Sequence, residues 1–439
     1  MKTFYLETFG CQMNVHDSEK IVGTLLAQGY TQVDEPSRAD LVLYNTCSVR
    51  EKAEQKVYSR LRQFRRQAGA GKLFAVLGCV AQQEGERIFE RAPHVSLVCG
   101  SAGYRRLPEL LVRIENGERR VAAVDSPAEE TFETPLTRRD NPYRAYLTII
   151  EGCDNHCAFC VVPFTRGRER SRPSESIMRE ARELAAAGYT EIQLLGQNVS
   201  SYRDPSPAGW DFPTLLERVA EIPGLRRVRF TTSHPRDFDR RIVTLIEDRP
   251  VLANQVHLPV QSGSTRILER MRRQYSREDY LQRIEWIKNA RRPIAISTDI
   301  IVGFPGETEE DFQQTLSLLE EVGYDAVFSF KYSARPGTAA LDLDGHLPEQ
   351  EKARRLAVLQ EKQRAIQLRR NAEWIGRLVE VLVEGSNPAT GQWIGRTAEN
   401  RVVNFVSRDG AGGSLLGRYL MVRVRRAGPN SLVGEQAAE

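Results

Sequence analysis

The stretch AYLTIIEGCDNHCAFC, residues 145–160, runs an apolar, strand-like segment directly into three thiols, Cys153, Cys157 and Cys160. A parallel βα unit has this layout, because such folds carry their chemistry at the carboxyl ends of strands. Downstream, EIQLLGQ (191–197), RRVRFTTSH (226–234), QVHLPVQS (255–262), IAISTDIIVGFPG (294–306) and DAVFSFKYS (325–333) repeat the strand pattern. Helical stretches such as SESIMREARELAAAG (174–188) and TEEDFQQTLSLLEEVG (308–323) separate them. Six such units predict an α/β partial barrel over 143–372, short of the full eight.

Upstream, FYLETFG (4–10), LVLYNT (41–46), KLFAVLG (72–78) and VSLVCG (95–100) alternate with helical patterns such as SVREKAEQKVYSRLRQF (48–64). That alternation predicts an open parallel α/β sheet over 1–118, followed by a linker over 119–142. After a long charged helix, LVEVLVE, GQWIGRTAENRVVNFV and RYLMVRVRRA are broken by Gly and Asn turns, which predicts a small antiparallel β-barrel over 373–437. No apolar run approaches the roughly 18–20 residues needed to span a bilayer, and the start lacks a signal-peptide pattern, so a cytoplasmic protein is expected. Seven cysteines, an odd number in a reducing compartment, point to metal binding or catalysis rather than a disulfide framework. The net charge of +4 permits an anionic partner without specifying one.

A C-x3-C-x2-C loop can supply three of the four ligands of an iron-sulfur cluster and leave one iron open. The rival is a zinc site completed by His156 or a distant residue, although zinc more often uses paired CxxC knuckles and no second knuckle is present. A dispersed set has a positional argument: Cys11, Cys47 and Cys79 each follow a strand of the first region, so they emerge on one sheet edge. Helix amino termini there favour thiolates. The alternative is that each is a small buried hydrophobe. Cys99 occupies a fourth such junction, so spacing leaves three or four ligands open.

The motifs TFGCQMNVHDSE, ADLVLYNTCSVREKAEQKV, LGCVAQ, EGCDNHCAFCVVPFTRGRERSR, LLGQNVSSY, RFTTSHP, HLPVQSGS, TDIIVGFPGET, YSARPGT and GRTAENRVVNF span nearly the whole chain. Together they resemble the methylthiotransferase branch of the radical S-adenosylmethionine enzymes, and within it the branch acting on isopentenyladenosine of tRNA. The resemblance implies two 4Fe-4S clusters, a radical-generating one on Cys153, Cys157 and Cys160 and an auxiliary one on Cys11, Cys47 and Cys79, with Cys99 structural. It implies S-adenosylmethionine as cofactor and methyl source, an RNA-binding TRAM domain as the tail, and methylthiolation at carbon 2 of an adenine in the anticodon loop. The implied partners are tRNA, an electron donor such as flavodoxin or ferredoxin, and a sulfur donor or iron-sulfur assembly proteins. Sibling branches act on threonylcarbamoyl-adenosine or on a ribosomal-protein aspartate. A reading of another class is a non-catalytic, zinc-containing RNA-binding protein.

Under this resemblance the cofactor pocket is expected at strand ends, from Gly196, Gln197 and Asn198, from Ser233 and His234, from Gln261 and Ser262, and from Gly303. His257 reads as a core residue. The run PFTRGRERSRP (163–173) carries Arg166, Arg168, Arg170 and Arg172, guanidinium groups suited to a cofactor carboxylate or RNA phosphates. In the tail, Arg396, Arg401, Arg423 and Arg425 are interleaved with Trp393, Phe405 and Tyr419, the pairing that lets small barrels stack unpaired bases. Residues 374–439 hold eight Arg and Lys against six Asp and Glu, a net of only +2, so charge alone carries little of that case.

Overall fold

The structure is a computed structural model that describes residues 2–48, 51–65, 71–124, 133–407 and 414–438. The first region builds a six-stranded sheet from β1 (Thr3–Phe9), β2 (Thr31–Gln32), β3 (Leu41–Thr46), β4 (Leu73–Gly78), β5 (Leu97–Cys99) and β6 (Val121–Ala123), in the order β2-β1-β3-β4-β5-β6. Every pair is parallel. The sheet is covered on both faces: Leu41, Leu43, Ala75 and Leu77 enter one core, while Val42, Tyr44, Phe74 and Val76 enter another. Burial on both sides is why these strands read as continuous apolar runs.

Strand β6 corrects the expected boundary at residue 118, because the sheet continues to Ala123. Three residues paired on one side only are too short for sequence periodicity to register. Part of the expected linker, 125–132, lies outside the described residues. The part from 133 onward is packed against the first helix, Gln12–Ala27: the Arg138 amide donates to the Glu19 carbonyl at 2.9 Å, and a Cβ at Gly23 would meet the Leu136 carbonyl oxygen at 1.5 Å.

The middle region contains β7 (Arg144–Thr148), β8 (Ile150–Glu151), β9 (Arg170–Ser171), β10 (Glu191–Leu195), β11 (Arg227–Phe230), β12 (Gln255–His257), β13 (Ala295–Val302) and β14 (Ala326–Lys331). Two parallel triplets, β7-β10-β11 and β12-β13-β14, meet through a parallel bridge between Val228 and Leu252. They form the expected six-stranded partial barrel around one large aliphatic core. Strands β8 and β9 are a short antiparallel pair that brackets the cysteine loop.

After the helix Glu349–Ala372, strands β15 (Leu378–Asn387), β16 (Gln392–Arg396), β17 (Val402–Val406), β18 (Tyr419–Ala427) and β19 (Leu432–Gln436) close a barrel in the order β15-β16-β17-β19-β18. Its β17-β19 pair is parallel, so the barrel is not wholly antiparallel as expected. It docks on the middle region through buried charge. The Arg229 guanidinium donates to the carbonyls of Thr397 at 2.7 Å and Ala398 at 3.1 Å, and Arg401 pairs with Asp325. Among the described residues, no helix is long and apolar enough to cross a membrane.

Candidate active site

The cysteine loop starts at Gly152, whose φ of +77° suits glycine, and a Cβ there would meet the Arg168 carbonyl oxygen at 1.9 Å. Backbone bonds then pin the loop from three directions. The Cys153 amide donates to Gly167 at 3.2 Å, the Ala158 amide to Met271 at 2.9 Å, and the Ala340 amide to the Ala158 carbonyl at 2.8 Å. Cys153 and Cys157 are buried and Cys160 is half-buried. Burial pushes the Cys153 thiol up and the Cys160 thiol to about 12. Thiols in such surroundings ionise readily only when a cation takes the place of the proton, as a metal ligand requires. A cleft of about 500 Å³ opens beside Cys157 and Cys160, lined also by His156, Phe164, Thr338 and Asp342.

The dispersed thiols are aligned by strand register. Phe9 pairs with Thr46, and Thr46 with Gly78, so the chain leaves β1, β3 and β4 at one level. Cys11 there precedes the helix Gln12–Ala27, Cys47 follows β3, and Cys79 opens the helix Cys79–Glu84. The backbone approaches closely: a Cβ at Gly10 would meet the Cys47 Cβ at 2.6 Å. A hydrogen bond with Cys47 brings the Cys11 thiol down to about 6 against the opposing effect of burial, with further help from Arg166 and the amides of Asn14 and Met13. Two buried hydroxyls flanking Cys47, Thr46 Oγ1 and Ser48 Oγ, have no hydrogen-bond partner among the described residues. Such orphaned donors fit a thiolate-held cluster, whose sulfurs accept hydrogen bonds. Cys99 is different: it lies in the core with Leu77, Leu97 and Val121, and burial pushes its thiol to about 12.

Among the described residues, no three His, Cys, Asp or Glu side chains are grouped closely enough to hold a single metal ion. A tetrahedral zinc with bonds of roughly 2.0–2.3 Å would need such a group. The two thiol sets are joined across the domain boundary by Arg166, which leaves the end of the helix Val162–Arg166 and pairs with Asp17 at 2.6 Å. Both partners are buried, and Ser101 Oγ adds a bond to the Thr165 carbonyl at 2.7 Å.

The expected strand-end residues separate into several roles. Asn198 has its amide engaged at both ends, donating to Asp237 at 2.7 Å and accepting from the His234 amide at 2.9 Å. It ties two strand ends together. His234 is held neutral, its pKa taken to about 2 by burial and by nearby Arg273 and Arg236. Ser233 is fully buried against Ser200 Oγ at 2.8 Å. Gln197 keeps a buried Oε1 with no partner among the described residues, and Gln261 adopts φ +72° in a bridge to Ile300. At three further positions the structure shows the packing partners. Ser262 is fully buried and faces Thr315 of the helix Glu309–Val322. A Cβ at Gly303 would meet the Lys352 side chain at 2.3 Å, and one at Gly196 would meet Ile150 Cγ2 at 2.2 Å. These glycines are required by neighbouring side chains.

In the arginine run only Arg168 is exposed. Arg166 is paired with Asp17, Arg170 lies 3.6 Å from Glu151, and Arg172 meets Glu180 at 2.6 Å. His257 is buried as expected, with Nδ1 at 3.0 Å from Ser297 Oγ. Sequence reading passed over Arg273, which donates to Cys157 Sγ at 3.3 Å. It sits in MRRQY, a stretch that reads as a solvated charge run.

Three family descriptions match the chain: "Uncharacterized protein family UPF0004" over residues 3–100, "Radical SAM superfamily" over 147–319 and "TRAM domain" over 373–436. A Solibacter usitatus protein named tRNA-2-methylthio-N(6)-dimethylallyladenosine synthase is 67% identical over 437 residues, covering 100% of this chain and 98% of its own. The chain belongs to that synthase family. A Koribacter versatilis protein of the same name is 59% identical, covering 99% of this chain and 98% of its own. The radical S-adenosylmethionine methyltransferase TsrM from Kitasatospora setae, solved with cobalamin and a 4Fe-4S cluster bound, shares the fold, with a TM-score of 0.57 at 15% identity over 77% of each chain.

For the TRAM barrel of this synthase family member, the structure revises the expected RNA face. Phe405 is fully buried in the barrel core and cannot stack a base. Arg401 is buried against Asp325 and Asn371, and Arg396 is held by Glu384 at 3.0 Å. These groups hold the barrel together or dock it. Arg423 and Arg425 remain exposed on β18 beside Met421 at 43% exposure, with Arg425 in a surface ion pair with Glu435 at 2.6 Å. Phe405→Ala is therefore expected to cost about 3–5 kcal/mol of barrel stability by leaving a cavity. Arg423→Ala with Arg425→Ala is expected to leave the melting curve in place and to lower the salt dependence of tRNA binding by about 0.7 per lost phosphate contact. Thermal melts and binding titrations at several salt concentrations check both.

Proposed function

We propose that this chain converts N6-dimethylallyladenosine of tRNA to its 2-methylthio derivative, using two 4Fe-4S clusters and S-adenosylmethionine. The observation that carries the reading is the pair of thiol triads on facing domains, bridged by the buried Arg166–Asp17 pair. Cys153, Cys157 and Cys160 would hold the radical-generating cluster, and Cys11, Cys47 and Cys79 the auxiliary one. When bound, these groups supply a carbon radical from S-adenosylmethionine and the sulfur for transfer.

The chain's own residues do the positioning. The pinned cysteine loop would supply three thiolates to a cluster and leave one iron free for the amino and carboxylate groups of S-adenosylmethionine. Gln197, whose buried oxygen has no partner among the described residues, would accept a hydrogen bond from the cofactor. The two domains pack against each other through the buried Arg166–Asp17 pair, which would help to shield the sites from water. An unpaired anticodon-loop base enters at less cost than one flipped from a duplex. Arg423 and Arg425 contribute to holding the RNA backbone, and a small electron carrier such as flavodoxin or ferredoxin and a sulfur-supplying partner complete the cycle.

The test is nucleoside analysis of tRNA from cells lacking the chain, with and without its restoration. Loss and return of the 2-methylthio form of dimethylallyladenosine is the expected result. An unchanged nucleoside profile would overturn the reading.

A further inference from the structure

Arg273 is a buried cation with an unusual set of partners. Its Nε donates to Tyr275 Oη at 3.0 Å, Nη2 to the Pro259 carbonyl at 3.1 Å and Nη1 to Cys157 Sγ at 3.3 Å. Among the described residues, none of these partners is a carboxylate. The side chain is aimed inward by two flanking residues in left-handed conformation, Arg272 and Gln274, both at φ +59°. Tyr275 Oη is fixed in turn by donating to the Val260 carbonyl at 2.8 Å, and the Tyr275 ring packs edge to face on His234 at 5.4 Å.

A guanidinium taken from water needs a counter-charge, and a buried cation without one costs several kcal/mol. Two of these partners can carry negative charge, and burial pushes the Tyr275 phenol up while its hydroxyl donates to Val260, which leaves the Cys157 sulfur for that role. We infer that Arg273 is a positioning and tuning residue for the Cys153–Cys157–Cys160 cluster, donating a charged hydrogen bond to the sulfur of one ligand and raising the reduction potential of the cluster. The inference rests on the functional reading above. Its physical basis is that hydrogen bonds to ligand sulfurs and nearby positive charge stabilise the more negative, reduced cluster. The rigid fork of arginine serves all three acceptors at once, which the single ammonium of lysine cannot do. Arg273 thereby lets a small electron carrier of moderate potential reduce a cluster that burial would make hard to reduce.

The experiment compares anaerobically reconstituted full-length wild type, Arg273→Met, Arg273→Lys and Tyr275→Phe. Iron per chain is measured first. An EPR-monitored potentiometric titration then follows the signal that changes on adding S-adenosylmethionine, which separates this cluster from the auxiliary one. In Arg273→Met the reduced-to-oxidised ratio at a fixed potential is expected to fall at least tenfold, about 59 mV for a one-electron couple. Arg273→Lys and Tyr275→Phe should shift the same way by less. If Arg273→Met arrives without this cluster, the other two variants decide by direction of shift. An unchanged midpoint in iron-replete variants overturns the inference. Absence of an S-adenosylmethionine-sensitive signal in wild type overturns the functional reading instead.

Discussion

Replacing Cys153, Cys157 and Cys160 together by alanine is expected to lower the iron of the reconstituted chain from about eight atoms to about four and to abolish reductive cleavage of S-adenosylmethionine. The complementary Cys11, Cys47 and Cys79 triple variant should also hold about four irons, yet retain that cleavage and lose methylthiolation. The asymmetry follows from position: the first triad lies on a loop at the mouth of the partial barrel, and the second on the edge of a separate sheet. Cys99→Ala is the control and should leave both iron and activity in place, because that thiol packs in the aliphatic core. Iron and sulfide analysis together with detection of 5′-deoxyadenosine reads all three variants. Four irons in wild type, falling to none in the first variant, would remove the second cluster.

Asp17→Asn should produce the second large effect, on stability and on coupling. It leaves the Arg166 guanidinium buried beside Cys11 and Cys79 without its carboxylate partner. Breaking a buried pair from one side costs about 3–5 kcal/mol, which corresponds to a fall in melting midpoint on the order of 10 °C. Because the pair bridges two domains, the relative placement of the two thiol sets should loosen as well. Misplacing reacting groups by about 1 Å costs about 100-fold in rate. Product formation is therefore expected to fall by about that factor, while cleavage of S-adenosylmethionine stays within about twofold of wild type. Calorimetry and parallel assays of 5′-deoxyadenosine and modified tRNA check this. Equal losses in both products would show that the pair supports folding only.

The architecture was legible wherever local sequence carries a period or a spacing. The apolar runs at 41–46 and 73–78 declared strands buried on both faces, and the C-x3-C-x2-C loop stood out by placing three thiols within eight positions. Strand β6 escaped notice because three residues have no measurable period. The parallel β17-β19 pair escaped because pairing direction depends on how the chain returns.

Side-chain roles were less legible, because burial is a property of the assembled molecule. Phe405 and Arg401 have the composition of an RNA face, but the period-2 alternation along β17 turns Phe405 inward, and docking of the barrel buries Arg401 against Asp325. Ser262 and Gly303 stand at strand ends as a cofactor pocket requires, yet their side-chain positions face the helix layer.

The sequence by itself determined the succession of parallel sheet, partial barrel and small β-barrel, the C-x3-C-x2-C loop and the family, since each is written in residues close together in the chain or in motifs that keep their spacing. Only the tertiary structure decided that Arg166 meets Asp17 and that Arg273 meets Cys157, contacts between residues 149 and 116 positions apart. A charged residue in a polar stretch gives no local sign of burial. Its partner is fixed only when folding removes water from both and leaves one group within reach to balance the charge.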